Sequence, residues 1–109
     1  MKHKITLPQL KKYDITQKVI MALADAESRV ILFSIIRKGK TASDLSGSLK
    51  IPLSSVYKKL SDLENLTLLR VEKTILSEKG RRFKVYRSRI SKAEISIKKP
   101  EPTLSLSAN

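Results

Sequence analysis

The sequence predicts an α+β domain: three to four helices, then a β-hairpin, with room for an extra C-terminal strand. Three observations carry this. Apolar residues recur at three- and four-residue spacing as far as Leu63, and after Leu66 the period falls to two. Cap and breaker residues punctuate the helical part at Asp25, Thr41 and Pro52. Finally, 109 residues with 40% apolar content suit one core, since a chain of this size buries roughly two thirds of its unfolded surface.

Ile15, Val19, Ile20 and Leu23 form one stripe on a first helix over Asp14 to Leu23. Ahead of it, Leu7-Pro8-Gln9-Leu10 contains a breaker and reads as a loop or short turn. Asp25 can cap a second helix from Ala26 to about Arg37, whose broad apolar face holds Val30, Ile31, Leu32, Ile35 and Ile36. Gly39 is expected to supply its left-handed stop. Thr41-Ala42-Ser43-Asp44 is a capping-box pattern with Asp44 in the place of the usual Glu or Gln. It opens a short helix bearing Leu45 and Leu49. Ile51-Pro52 breaks the pattern, because a residue before proline is pushed away from helical geometry.

The next helix, Leu53 to about Asn65, places Val56, Leu60 and Leu63 on one face and Ser54, Tyr57, Lys58 and Ser61 on the other. Leu69, Val71 and Lys73 then alternate with Arg70, Glu72 and Thr74, and Phe83, Val85 and Arg87 with Arg82, Lys84 and Tyr86. Ser77-Glu78-Lys79-Gly80 is a turn cluster between them, so the pair is a hairpin with a loose tip around Ile75 to Arg81. Ile95 and Ile97 alternate with Glu94 and Ser96, the mark of a third strand over Ala93 to Lys98. Helices separated by a tight turn and followed by a hairpin make a winged helix-turn-helix. The expected organisation is a basic N-terminal arm over residues 1–13, the winged helix domain over 14–98 and an extended or mobile tail over 99–109.

Composition narrows the chemistry. With no cysteine, the chain has no disulfide, thiolate zinc site or thiol redox centre, and the single His3 leaves almost nothing for metal binding or imidazole catalysis. The acids Asp14, Asp25, Glu27, Asp44, Asp62, Glu64, Glu72 and Glu78 read as caps or solvent-facing groups, and no phosphate loop or nucleophile motif accompanies them. An enzyme is therefore not expected, nor any cofactor or metal. No apolar run reaches the roughly 18–20 residues of a membrane span, and Met1-Lys2-His3-Lys4-Ile5-Thr6 lacks a signal-peptide apolar stretch. The expected location is the cytoplasm, at the nucleoid if the partner is DNA.

The stretch Leu23-Ala24-Asp25-Ala26-Glu27-Ser28-Arg29-Val30-Ile31-Leu32 resembles the start of the second helix in the arsenical-repressor-like (ArsR-like) winged-helix regulators. Ala42-Ser43-Asp44-Leu45 through Ile51-Pro52-Leu53-Ser54-Ser55-Val56-Tyr57-Lys58-Lys59-Leu60 is similar to that family's helix-turn-helix. Leu63-Glu64-Asn65-Leu66-Thr67-Leu68-Leu69-Arg70-Val71-Glu72-Lys73 resembles its junction into the wing. The resemblance covers roughly residues 14–90 and implies DNA binding. It does not imply metal sensing, because the Cys and His ligands of the sensing members are missing. Thr67 stands where that family's junction usually has glycine, so the turn must avoid a positive φ or accept strain. No fifth helix is visible after the wing, where the family uses one in its dimer.

The net charge of +13 calls for a polyanionic partner, and its distribution says where. Residues 68–92 hold nine basic against two acidic side chains, a net +7, whereas residues 41–67 hold three of each. A helix of about 13 residues is about 20 Å long and fits the major groove of double-stranded DNA. Ser54, Ser55, Tyr57 and Lys58 are the expected base contacts. Thr41, Lys59, Ser61, Lys79, Arg81, Arg82 and Lys84 are the expected backbone contacts. Ser54 and Ser55 also suit plain helix-start chemistry, Tyr57 also suits packing against the wing, and basic strands also guard sheet edges.

With no arginine or asparagine on the reading face, modest sequence specificity is expected. A homodimer is expected, because one helix reads only three or four base pairs; the first helix and the strand near Ile95 and Ile97 are its candidate surfaces. The reading is a DNA-binding transcriptional regulator. The alternatives are a nucleoid-associated, RNA- or ribosome-associated winged helix and a protein-interaction adaptor in a transcription assembly.

Overall fold

The computed structural model describes residues 7–109, with side chains described from Asp14 onward. In chain order it comprises α1 (Leu7–Ala24), α2 (Ala26–Ser34), β1 (Lys40–Thr41), α3 (Ala42–Leu49), α4 (Leu53–Asn65), β2 (Leu69–Leu76), β3 (Arg82–Ser88), β4 (Ile90–Ser96) and β5 (Thr103–Ala108). Two sheets result: a three-stranded antiparallel sheet in the order β1-β3-β2, and a separate antiparallel pair, β4-β5. The α+β winged helix is the architecture observed.

The helical part forms for the reasons its sequence gives. Asp25 caps α2, accepting from the Ser28 amide at 3.0 Å and the Ser28 hydroxyl at 2.7 Å. Thr41 and Asp44 close the capping box of α3: the Asp44 amide donates to Thr41 Oγ1 at 3.1 Å, and the Thr41 amide to Asp44 Oδ2 at 3.3 Å. Lys50, at φ 56 and ψ 43, ends α3 in the left-handed region, and Ser46 Oγ donates back to the Ile51 carbonyl at 2.6 Å. Ile31, Leu32 and Ile35 from the α2 region, Leu45 from α3, and Val56, Leu60 and Leu63 from α4 are sealed at its centre. Leu68 and Leu69 close the core where the chain enters the sheet.

Several expectations change. Leu7–Leu10, expected as a loop, is the first turn of α1; a proline at the second position of a helix loses nothing, since the first-turn amides have no intrahelical partner. Residues 7–13 of the expected arm are thus helical, while Lys2 and Lys4 lie outside the described residues. The second helix stops at Ser34 rather than Arg37, capped by Ile35, whose amide donates to the Leu32 carbonyl.

Gly39 does not end it with a positive φ. It is small because β3 passes close by: a Cβ there would lie 2.6 Å from Val85 Cγ1 and 2.9 Å from Glu72 Oε1. The strand expected over 93–98 is β4, shifted to Ile90–Ser96, and it pairs with β5 rather than with the wing. Most of the expected tail is therefore a paired strand. Asn109 fastens its end, its side-chain amide donating to the carbonyls of Ile36 and Ser88 at 2.8 and 2.9 Å.

Candidate nucleic-acid interface

Helix α4 is amphipathic by spacing alone. Val56, Leu60 and Leu63 are at most 1% exposed, and Ser54, Tyr57, Lys58 and Ser61 face solvent. Pro52 precedes the helix with φ −52 and makes no side-chain cap, so the first-turn amides have no capping side chain. Ser54 is exposed and Ser55 half-buried beside these free donors. Such an end presents N–H groups and the positive end of the helix dipole to an anion.

The wing is β2 and β3, in register from Leu69 opposite Ser88 to Leu76 opposite Arg82, with a bulge between Val71 and Lys73. Its tip is a tight turn. The Ser77 amide donates to the Arg81 carbonyl at 2.8 Å, the Gly80 amide to the Ser77 carbonyl at 3.0 Å, and Gly80 sits at φ +79, which glycine adopts without a Cβ penalty. Lys79, Arg81, Arg82 and Lys84 are all exposed at or beside this tip.

Helix and wing meet over a cleft of about 250 Å³ lined by Thr41 and Ser43 at the start of α3, Tyr57 of α4, and Arg82, Phe83, Lys84 and Tyr86 of β3. Four of the expected contact residues (Thr41, Tyr57, Arg82 and Lys84) therefore converge on one side of the molecule. Tyr57 is 49% exposed there, its ring beside the wing and still open to solvent. Burial, aided by the negative charge of Glu64, pushes the pKa of the Tyr86 hydroxyl above its ordinary range.

Two basic residues serve inside the domain instead. Lys59, expected on the DNA backbone, turns toward the α1–α2 junction. Its ammonium donates to Asp25 Oδ2 at 2.7 Å and lies 3.6 Å from Glu27 Oε1. The pairing raises the Lys59 pKa, and hydrogen bonds from Lys59 and Ser28 hold the Asp25 carboxyl down to about 2. Lys59 stands three residues after Val56 and four before Leu63, so helical spacing sets it beside the buried stripe, where the acidic pair Asp25 and Glu27 meets it. Arg87 of the wing donates to Glu72 Oε2 at 2.7 Å and to the Ile36 carbonyl at 2.9 Å, fixing the wing to the end of the α2 region.

Lys40 is not among the expected contacts. It belongs to β1, opposite Tyr86, and lines a groove with Lys38 and Lys73 on the other flank of the wing. A two-residue strand leaves no periodicity to read, although the basic cluster Arg37-Lys38-Gly39-Lys40 was itself a signal.

The fold is a winged helix. It is similar to NolR from Sinorhizobium fredii, whose crystal structure superposes with a TM-score of 0.62 at 17% sequence identity, over 80% of this chain and 81% of that one. No family model and no curated protein matches the chain. Among the described residues, no group of three His, Cys, Asp or Glu side chains could hold a metal ion, and no helix is long and apolar enough to cross a membrane.

Proposed function

We propose that the protein is a DNA-binding transcriptional regulator of ArsR-like type, working as a homodimer at the nucleoid and without metal sensing, cofactor or catalysis. The observation that carries the reading is the cleft that joins Tyr57 of α4 to Arg82 and Lys84 of the wing. It puts a polar helix face and a basic strand on the same side, as a groove-reading helix and its backbone grip require. Ser54, Ser55, Tyr57 and Lys58 read base edges, with modest specificity because the strongest bidentate readers are missing. Thr41, Ser61, Lys79, Arg81, Arg82 and Lys84 hold phosphates. Lys59 contributes by setting the helix, since its charge is already matched by Asp25.

Selection of bound fragments from random duplex DNA, followed by a salt titration, tests this. A palindromic motif is expected, with a log–log salt slope near −5 for about six phosphate contacts. Binding that is no tighter than that of a matched basic protein would overturn the reading. Preference for structured RNA over duplex would move the protein to the RNA-associated class, and a flat salt dependence would point to an adaptor.

A further inference from the structure

The hairpin β4-β5 is unfinished as a piece of structure. Cross-strand pairs Ala93–Leu106 and Ile95–Leu104 share one face, while Lys92–Ser107, Glu94–Ser105 and Ser96–Thr103 share the other. Ala93 and Leu104 pack against the core, but Ile95 and Leu106 remain 43% and 40% exposed. A two-stranded hairpin is marginal in water unless further strands or a helix back it; here α1 lies against β5, but among the described residues no further strand extends the pair. The described chain is also drawn out to 64 × 25 × 23 Å, with a radius of gyration of 16.5 Å against about 13 Å for a compact domain of 100 residues.

The two edges of this hairpin differ. β4 carries Lys92 and Glu94, the charges that normally keep an edge strand from pairing. β5 reads Thr-Leu-Ser-Leu-Ser-Ala, with no charge, no proline, no bulge opposite Thr103–Ser107, and no partner on its outer side among the described residues. On a chain of net charge +13, an uncharged strip is a place where a second copy meets little repulsion.

We propose that β5 is the dimerisation edge: it pairs antiparallel with β5 of a second copy, making a continuous four-stranded sheet β4-β5-β5-β4 about a two-fold axis. An axis normal to the sheet keeps the apolar faces on one side only if it passes through a residue and not between two. Centred on Ser105, it sets Leu104 of each copy opposite Leu106 of the other, giving two leucine pairs; centred on Leu106 it gives one. The occupant is thus a second copy in a stated register. The proposal rests on the dimeric part of the function above and not on its DNA part.

Sedimentation of the full chain without DNA tests it. The wild type is expected to sediment as a dimer at micromolar concentration. Ser105→Lys faces Glu94 within its own hairpin but meets its own image across the axis, so the dimer dissociation constant should rise about 100-fold with unchanged circular dichroism. Because the chain has no cysteine, Ser105→Cys should oxidise to a disulfide-linked dimer while Ser96→Cys on β4 stays monomeric on a reducing-free gel. A monomeric wild type overturns the proposal, as does a dimer that Ser105→Lys leaves intact. If Ser105→Lys unfolds the hairpin, the cysteine pair decides: equal crosslinking of both variants, or of neither, overturns it. None of these outcomes depends on whether DNA is bound.

Discussion

The molecule contains two antiparallel hairpins built from the same alternation of residues, and they are integrated in different ways. The wing, β2-β3, gains a third strand from β1, a guanidinium anchor from Arg87 to the Ile36 carbonyl, and core residues Leu69, Val85 and Tyr86 at its base. The second, β4-β5, is held by Ile90, by two half-buried side chains and by the Asn109 amide. One is anchored in the core at its base and charged at its tip; the other rests on the core and α1 by fewer buried side chains and, among the described residues, has no strand along its outer β5 edge. Under the proposed roles, a hairpin that grips a polyanion needs a firm root, whereas one that meets a second copy can take part of its stability from that copy.

Core truncation separates the two most strongly. Leu69→Ala at the root of the wing should lower stability by about 3 kcal/mol in urea unfolding. Leu104→Ala in the second hairpin should cost about 1 kcal/mol in the monomer, because its site is only half-buried. Equal losses would erase the distinction. Gly39→Ala comes next, with an expected loss of about 2 kcal/mol, since the new methyl meets Val85 Cγ1 and also the Tyr86 carbonyl at 3.2 Å. The same substitution at Gly47, where nothing lies within 4 Å, should be tolerated.

At the wing tip, Arg81→Ala, Arg82→Ala and Lys84→Ala combined should weaken duplex binding about tenfold and flatten the salt slope by nearly three, with no change in unfolding. A salt slope that stays the same would mean that the wing does not grip phosphate.

The smallest effect is pH-dependent. The Asp25 carboxyl, held at about 2 when folded against an ordinary 3.8, contributes stability that is complete above the unfolded value and lost as pH falls toward 2. The difference in melting temperature between wild type and Asp25→Asn should therefore be constant at neutral pH and close between about pH 4 and pH 2. A difference that persists at pH 2 would show that the cap and the Lys59 pair are not its source.

Most of the fold was legible in the sequence, because local rules and the core agree there. Asp25, Thr41-Asp44 and the Leu53–Asn65 stripe each name their own structure. What was not legible depends on partners distant in sequence. Lys59 adjoins the apolar stripe of α4 by spacing, but its partner Asp25 lies 34 residues earlier and is not visible from the helix itself. Gly39 looks like a stop signal until β3 passes beside it. The 103–108 segment alternates Leu104 and Leu106 with Thr103, Ser105 and Ser107, the period of a strand, but it is short and follows Pro100 and Pro102, so its pairing shows only once β4 is beside it. For the interface, the wing charges were visible as a count, but their convergence with Tyr57 and Thr41 required the sheet to bring β3 alongside β1.

Thr67 joins α4 to β2 at φ +61, where a β-branched residue is strained, and its amide donates to the Glu64 carbonyl at 2.9 Å. This residue is the elbow of a lever. Eight residues of β2 reach about 26 Å from elbow to tip at about 3.3 Å each. An elbow that opened by about 10° would swing the tip by about 4.5 Å, more than the roughly 3.4 Å of helix axis separating successive phosphates on a strand. With threonine the elbow has few neighbouring conformations to drift into, so the angle between α4 and the wing is held narrowly, as the proposed phosphate grip would require.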